Sequence, residues 1–274
     1  MKSDKPPPEG AEVKLIAEDL AKKVGLRELV SVTAMSGRYT KKPVPGLDDL
    51  EKSLPTRVVG IGAKGKLIFW ILADDRFLLN TLGMTGFWSM EDQKHARMKF
   101  EFSEGDPVYY VDQRNFGTFR SIYGRNVFKK KLDSLGPDML SDRVTPELFA
   151  ERLDSKPHWT IAQALMDQSV VSGCGNYVKS ETLHAARVSP HRLVGSLSSK
   201  EVSDINDAAQ WVLNTSYENG GASIRDYRTP DNKPSSMAEN FQVYGKKVDP
   251  LGNKVIKEET ADKRTTHWVP GIQK

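Results

Sequence analysis

The sequence contains very little cysteine and histidine. Cys174 is its single cysteine, and only five histidines are spread over 274 residues. One thiol cannot form an internal disulfide, and a structural zinc site needs four closely spaced cysteine or histidine ligands. We therefore expect no disulfide framework and no bound metal, so any zinc-finger-like element has to stand without zinc.

A long hydrophobic run is also missing. No apolar stretch approaches the roughly 18 to 20 residues that cross a bilayer, and the start of the chain, Met1–Pro8, is charged and proline-rich, unlike a secretory signal. We expect a soluble, intracellular protein that is neither secreted nor membrane-bound. Its net charge of +4 mildly favours a polyanionic partner.

The pattern of apolar residues changes along the chain. Between Val13 and Val24 they recur at helical spacing, and Gly25 is a plausible stop. Short β-rich runs follow as far as Val111, and many short strands separated by turns are typical of a sandwich. Beyond them, four stretches have helical character: Thr145–Leu153, His158–Gln168, Tyr177–Ala186 and Ser199–Tyr217. From Phe241 the β character returns around a predicted hairpin turn at Asp249–Asn253, and the basic segments Val243–Lys247 and Lys263–Trp268 are predicted to be the two strands of a basic ribbon flanking this turn.

Two carboxylates, Glu9 and Glu12, lie just before and within the first turn of the first predicted helix. Taken alone, they are adequately explained by the helix dipole, which favours negative charge at this end by tenths of a kcal/mol. A catalytic role gains weight only from other segments of the chain.

Three further segments carry candidate binding residues. Arg114 and Phe116 follow a β run two residues apart, which on a strand places them on one side. Gly173-Cys174-Gly175-Asn176 precedes a helix, so its amides and the Asn176 side chain are suited to a phosphate. Arg264, with threonines beside it, suits bidentate phosphate binding. Each segment also has an ordinary structural explanation: a packed aromatic for the first, a plain turn between helices for the second and a solvated charge for the third.

Eight motifs in order resemble those of the Fpg/Nei family of DNA glycosylases. The match runs from about Pro8 to Lys274. The motifs are Pro-Glu-Gly-x-Glu-Val from Pro8, Lys64-Gly65-Lys66, Leu82-Gly83-Met84-Thr85-Gly86, Asp-x-Arg-x-Phe-Gly from Asp112, Leu135-Gly136-Pro137-Asp138, Leu165-Met166-Asp167-Gln168, Gly-x-Gly-Asn from Gly173, and the Arg-Thr-Thr finger at Arg264.

The resemblance implies an α+β fold with flanking helices around an N-terminal β-sandwich. A helical helix-two-turns-helix domain follows it, with a β-hairpin finger. The cysteine count and the segments Pro250–Ile256 and His267–Gln273 resemble the branch whose finger lacks zinc. The expected organisation is a leader at 1–7, the catalytic sandwich domain at 8–128, a hinge at 129–144 that includes the basic stretch Lys129–Lys131, the helical domain at 145–239 and the finger at 240–274.

The same resemblance implies a base-excision repair enzyme, a bifunctional glycosylase and AP lyase acting as a monomer on double-stranded DNA with oxidised bases, without metal or organic cofactor. An N-terminal proline, here Pro8, attacks the sugar, Glu9 acts as general acid and base, and Glu12 supports the site. Phosphate contacts fall to Lys66, Asn176 and Arg264. The residues that fill the space left by the everted base are Met84, Arg114 and Phe116.

One feature conflicts with this mechanism, because Pro8 is internal in the chain as written. A nitrogen within an amide bond has no usable lone pair, and removal of Met1 would expose Lys2 instead. Proteolytic maturation, a leader that is absent from the active protein and loss of lyase chemistry are the explanations. Our hypothesis is that the working enzyme begins at Pro8.

The preferred lesion is less sharply predicted. The segment Gly220–Tyr227 resembles a loop that closes over oxidised purines, whereas the metal-free finger resembles enzymes that favour oxidised pyrimidines. We expect activity on formamidopyrimidines and hydantoins. Two rival interpretations are a non-catalytic damaged-DNA-binding protein that lost its nucleophile and a general nucleic-acid or ribosome-associated module, which leaves Glu9 and Glu12 unexplained.

Overall fold

The structure, a computed structural model, describes residues 6–222 and 240–274. Two compact units are present. One is Val13–Asp133, and the other is Ser134–Lys274 together with the segment that ends at Glu12. The division therefore falls inside the first helix, α1 (Gly10–Val24).

The unit Val13–Asp133 is mainly β. Its strands form one antiparallel hydrogen-bonded series in the order β5-β7-β6-β1-β2-β3-β4-β8. They are β1 (Glu28–Ala34), β2 (Thr56–Lys64), β3 (Leu67–Leu72), β4 (Arg76–Thr81), β5 (Gly86–Ser89), β6 (Ala96–Phe102), β7 (Val108–Asp112) and β8 (Thr118–Tyr123). The helices α2 (Leu47–Glu51) and α3 (Arg125–Asp133) complete the unit.

Aromatic rings show that this series is folded into a sandwich. Phe119 on β8 and Trp88 on β5 belong to strands at opposite ends of the order, yet their ring centroids are 5.8 Å apart. Trp70 on β3 stacks on Phe100 of β6 at 5.3 Å in the same way. Such pairs add about 0.5–1.5 kcal/mol each to the area they bury. The predicted β-sandwich is confirmed.

The second unit is built from the helices α4 (Pro146–Asp154), α5 (Ile161–Met166), α6 (Asn176–Ala185) and α7 (Ser199–Glu218). Thr160 and Ser198 begin α5 and α7 with capping boxes, formed with Gln163 and Glu201. The four predicted helical stretches are confirmed, although α5 is shorter than His158–Gln168. The Thr160 cap starts it late, and Asp167, with extended backbone, ends it early.

Gln168 organises the two turns between α5 and α6. Its side-chain amide donates to the Cys174 carbonyl at 2.9 Å, and its carbonyl oxygen accepts from the Gly173 amide at 3.1 Å. Gly173 has a φ of +97°, a conformation that glycine adopts without strain. These bonds give the Leu-Met-Asp-Gln and Gly-x-Gly-Asn motifs a common purpose, since both fix the start of α6.

The C-terminal region contains a β-hairpin of β9 (Ile256–Glu259) and β10 (Thr265–Trp268). The sequence placed the turn of the basic ribbon at Asp249–Asn253, and this expectation is wrong. A turn does occur there, with an isolated bridge between Val248 and Lys254, but the residues between β9 and β10 are Thr260–Arg264. Val243–Lys247 likewise forms turns instead of a strand, since the Lys246 amide donates to the Val243 carbonyl at 3.0 Å.

The basic stretch Lys129–Lys131, which begins the predicted hinge, is helical. These lysines lie in the last turns of α3, where positive side chains favour the helix terminus.

Within residues 6–222 and 240–274, no helix is both long and apolar enough to cross a membrane.

Candidate active site

Glu9 is buried and held by backbone amides of α6. One of its carboxylate oxygens accepts a hydrogen bond from the Tyr177 amide at 2.9 Å, and the other accepts from the Val178 amide at 3.2 Å. Its own amide donates to the Glu12 carboxylate at 2.8 Å. Only 1% of Glu9 is exposed. The residue that follows Pro8 is therefore fixed in position by both its backbone and its side chain.

Glu12 is fully buried and accepts further hydrogen bonds from its own unit. The Ala222 amide donates at 2.6 Å, and the hydroxyls of Tyr177 and Ser216 donate at 3.1 Å. Burial, and then the charges of Glu12 and Glu9, raises the pKa of the Tyr177 hydroxyl well above its usual value. Tyr177 therefore stays protonated and can donate to Glu12.

The predicted phosphate-binding segment, Gly173–Asn176, is followed directly by two backbone amides that already have a partner. Those of Tyr177 and Val178 are taken by Glu9, whose carboxylate occupies the place that a helix N-terminus offers an anion. The Asn176 side chain donates to the Thr265 carbonyl of β10 at 2.8 Å, which links α6 to the strand that follows Arg264. Arg264 itself is exposed.

In the unit Val13–Asp133, two loops form a second constellation, which we call the loop pair: Leu82–Thr85 and Gln113–Gly117. Met84 is 37% exposed and Phe116 is 52% exposed. The Arg114 guanidinium lies 4.8 Å from the centroid of the Phe116 ring. The sequence placed Arg114 and Phe116 on a strand face, but they lie between β7 and β8, where Asn115 has a φ of +57°. Their proximity comes from the turn instead.

Asp112 holds the two loops of the loop pair together from their buried side. This fully buried carboxylate accepts hydrogen bonds from the Thr85 hydroxyl and from the Gly117 amide, the latter at 2.8 Å. The Thr85 oxygen in turn accepts from the Arg114 amide at 3.0 Å. Gly83, with a φ of +65°, lets the loops approach, since a Cβ there would lie 2.7 Å from the Gly117 nitrogen.

Lys66 lies in the tight turn between β2 and β3, in the same unit as the loop pair. It is half-buried, and Gly65 before it has a φ of +54°. Glycine accommodates this left-handed conformation, so the Lys-Gly-Lys motif reflects the geometry of a short hairpin as well as charge.

Three family models cover most of the chain. The Formamidopyrimidine-DNA glycosylase N-terminal domain matches residues 7–119, the Formamidopyrimidine-DNA glycosylase H2TH domain matches 135–228, and the Formamidopyrimidine-DNA glycosylase C-terminal domain matches 230–274. The chain belongs to the formamidopyrimidine-DNA glycosylase family.

Individual relatives agree with this membership. The formamidopyrimidine-DNA glycosylase of Oceanobacillus iheyensis is 32% identical over 280 residues, which cover 97% of each chain. That of Streptococcus mutans is 30% identical over 278 residues, covering 97% of this chain and 99% of the relative.

Solved structures agree as well. MutM in complex with DNA containing carbocyclic 8-oxo-G has a TM-score of 0.85 at 27% identity, covering 97% of this chain and 100% of that one. The Lactococcus lactis enzyme, non-covalently bound to DNA containing an AP site, has a TM-score of 0.83 at 26% identity, covering 97% and 99%.

Within this family member, the predicted site residues fall into two groups. Glu9, Glu12, Asn176 and Arg264 belong to the unit that contains α6 and the hairpin, as does Pro8, which is half-buried. The other group, Lys66, Met84, Arg114 and Phe116, belongs to the β-sandwich unit. The roles of all nine residues remain predictions. Ser223–Tyr227, the larger part of the predicted lesion-contacting loop, lies outside the described residues.

Three supporting residues were missed by sequence reasoning. All three are completely buried: Tyr177 is hydrogen-bonded to the predicted site residue Glu12, Asp112 to the amide that follows Phe116, and Lys179 to Asp262, two residues before Arg264. Asp112 and Tyr177 adjoin motifs that were recognised, so their polarity was a usable signal. For Lys179 there was none, because a lysine in a helix is ordinarily a solvated residue.

The hairpin does not suit a zinc ion. No three His, Cys, Asp or Glu side chains in the described part of the chain form a cluster that could hold a metal. The single cysteine lies between α5 and α6, and the histidine on β10, His267, is 6% exposed among protein side chains.

Proposed function

We propose that this chain is a bifunctional DNA glycosylase and AP lyase that excises oxidised bases from duplex DNA in base excision repair. Family membership supports the reaction class, and the related MutM and Lactococcus structures contain DNA with a modified base or an AP site. The observation that carries the proposal is the buried Glu9 carboxylate, held beside Pro8 by two amides of α6.

In the proposed reaction, the free nitrogen of Pro8 attacks C1′ of the everted nucleotide, the bond from C1′ to the base breaks, and the base leaves. Glu9 donates and accepts protons at the deoxyribose, and Glu12 holds the backbone of Glu9. The Pro8 nitrogen then loses its proton, the bond from C1′ to O4′ breaks and O4′ takes a proton from Glu9, so that an iminium forms and permits strand cleavage by elimination. No step requires a metal or an organic cofactor.

The remaining predicted residues bind DNA in this proposal. Lys66, Asn176 and Arg264 contact phosphates, whose negative charge supplies much of the affinity. Met84, Arg114 and Phe116 fill the space vacated by the base, and their exposure leaves them available for insertion. We keep the five sequence segments (1–7, 8–128, 129–144, 145–239 and 240–274), a metal-free finger, a monomer and an intracellular location as parts of the proposal.

The decisive experiment compares the full chain with protein beginning at Pro8. Both are incubated with duplex DNA containing a formamidopyrimidine, borohydride is added to trap the iminium, and intact mass identifies the attached residue. We expect an adduct at Pro8 only when its nitrogen is free. An adduct at another residue of protein that retains Lys2 would refute the assignment.

A nicking gel separates the enzyme from the rival DNA-binding protein. If protein starting at Pro8 binds the lesion duplex but neither releases the base nor cuts the strand, the chain is a binder. A panel of single-lesion duplexes then tests the substrate class. We expect excision of formamidopyrimidines and hydantoins, and failure on both classes would overturn that assignment.

A further inference from the structure

The hairpin of β9 and β10 is joined to α6 by a buried ion pair. The Lys179 ammonium lies 2.5 Å from the Asp262 carboxylate, and the two side chains are 0% and 4% exposed. Lys179 projects from the first half of α6, whereas Asp262 lies in the turn between β9 and β10. The catalytic scheme above makes no use of either residue.

A buried ion pair of this kind contributes little net free energy to the stability of a fold. Burial lowers the pKa of Lys179, and its hydrogen bond and charge interaction with Asp262 oppose that shift. Desolvation of two charges often cancels their attraction, so an apolar pair of similar volume would serve stability equally well. What the pair adds over an apolar contact is directional hydrogen bonding at a defined position.

The hydrogen bonds continue from Asp262 to the backbone of Arg264. The other carboxylate oxygen of Asp262 accepts from the Thr260 hydroxyl. The Thr260 amide donates to the Arg264 carbonyl at 3.1 Å, which closes the turn. Lys263, between the linked residues, has a φ of +57°, an unfavourable conformation for lysine that the surrounding bonds must hold. Arg264 is therefore the last residue of a turn whose shape depends on Asp262.

Two further bonds connect the same face of α6 to β10. Asn176 donates to the Thr265 carbonyl at 2.8 Å, and the Ser180 hydroxyl oxygen accepts from the His267 amide at 3.3 Å. Asn176, Lys179 and Ser180 are spaced i, i+3 and i+4, so they share one side of the helix. The hairpin is attached along this side, and the ion pair is its attachment at the turn.

We propose that Lys179 and Asp262 are positioning residues that fix the hairpin turn on α6 and so orient Arg264 towards a DNA phosphate. The pair gives the metal-free turn the rigid connection that a coordinated ion gives a zinc-dependent element. The inference rests on the proposed function, because it assumes that Arg264 contacts DNA.

The test measures binding of the full chain to a duplex with a tetrahydrofuran abasic analogue, over about 50 to 200 mM NaCl. Lys179→Met and Arg264→Ala should each weaken binding about tenfold and lower the slope of log affinity against log salt by about 0.9, the value for one phosphate contact. Combining them should weaken binding little further, because both remove the same contact.

A second variant separates positioning from folding. Lys179→Met with Asp262→Leu leaves no unpaired buried charge, so it should unfold near the wild-type temperature yet keep the reduced salt slope. Lys200→Met is the matched control, since Lys200 forms an exposed pair with Asp204 at 2.6 Å, and it should change neither quantity.

Amide hydrogen exchange gives a readout that is independent of DNA. The Thr260 amide should exchange faster in Lys179→Met and in the charge-free variant. An unchanged Thr260 rate, a wild-type salt slope in the charge-free variant, or additive losses with Arg264→Ala would overturn the inference. If wild-type protein does not bind the duplex, the proposed function fails, and Thr260 exchange alone then decides whether the ion pair fixes the turn.

Discussion

The carboxylate site around Glu9 and the loop pair around Phe116 are built in opposite ways. Glu9 and Glu12 are buried, and both oxygens of each carboxylate accept hydrogen bonds from protein groups. Phe116 and Met84 are exposed to solvent, and the buried polar group that holds their loops together is Asp112. Groups that move protons have to be fixed and partly desolvated, whereas groups that enter DNA have to be exposed on a rigid support.

The difference predicts that mutations at the two sites affect different quantities. At the carboxylate site, chemistry should change more than DNA binding. At the loop pair, the exposed residues should affect the recognition of duplex DNA with little effect on folding, and their buried support should affect folding itself.

The largest effect is expected for Glu9→Gln in protein that begins at Pro8. The amide cannot exchange protons with the deoxyribose, so the excision rate constant should fall about 10²- to 10⁴-fold. Affinity for a duplex with a tetrahydrofuran abasic analogue should change less than about threefold. Single-turnover kinetics and equilibrium binding measure the two quantities. Exposed Glu28→Gln is the control, and equal losses in rate and affinity would contradict the distinction.

Asp112→Ala should have the next largest effect, on stability. It removes the acceptor of the Thr85 hydroxyl and of the Gly117 amide, and it leaves both without that partner behind the loops. We expect the free energy of unfolding to fall by about 3 to 4 kcal/mol, measured by urea denaturation. The exposed residue Asp106 provides the control, as Asp106→Ala. A loss no larger than in the control would show that Asp112 does not support the loops.

The two constellations also differ in how much the sequence could predict. Glu9 and Glu12 were placed correctly at the start of α1, because a helix beginning is a local property of the chain. The capture of the Tyr177 and Val178 amides by Glu9 could not be read from the sequence, since it joins residues far apart in the chain. Only packing shows that this helix terminus is already occupied by a carboxylate.

The loop pair gives a second example. Periodicity placed Arg114 and Phe116 on one side of a strand, and they are indeed close, but β7 ends at Asp112 and a turn brings them together. The strand ends there because the Asp112 carboxylate binds the Gly117 amide and so folds the chain back. Side-chain bonds to nearby backbone compete with regular structure in this way, and a pattern of apolar residues does not record them.

The buried histidine His267 should make the stability of the hairpin sensitive to pH. Burial, followed by the charges of Lys257 and Lys179, lowers the pKa of His267 from 6.5 to about 4. Since the unfolded chain binds this proton more readily, the associated stability is present above about pH 6.5 and is lost as the pH falls towards 4. The loss is about 3 kcal/mol.

His267→Phe isolates this contribution from the other histidines. The advantage of wild type over the variant in free energy of unfolding should decrease between pH 6.5 and 4. Denaturant titrations at several pH values measure it. A difference that stays constant across this range would mean that His267 titrates normally in the folded protein.

The smallest effect is expected for Phe116→Ala, and it bears most directly on the comparison. The side chain is 52% exposed, so the free energy of unfolding should change by less than about 0.5 kcal/mol. Loss of stacking against a base step should slow excision from duplex DNA about tenfold, since such stacking is worth about 1–3 kcal/mol. Cleavage at a preformed abasic site in single-stranded DNA, which has no such step to fill, should be nearly unchanged. Leu26→Ala, at a 69% exposed leucine, controls for loss of surface area. If Phe116→Ala slowed both reactions equally, Phe116 would serve general binding or the chemistry, and the division between a buried site for proton transfer and an exposed site for insertion would not hold.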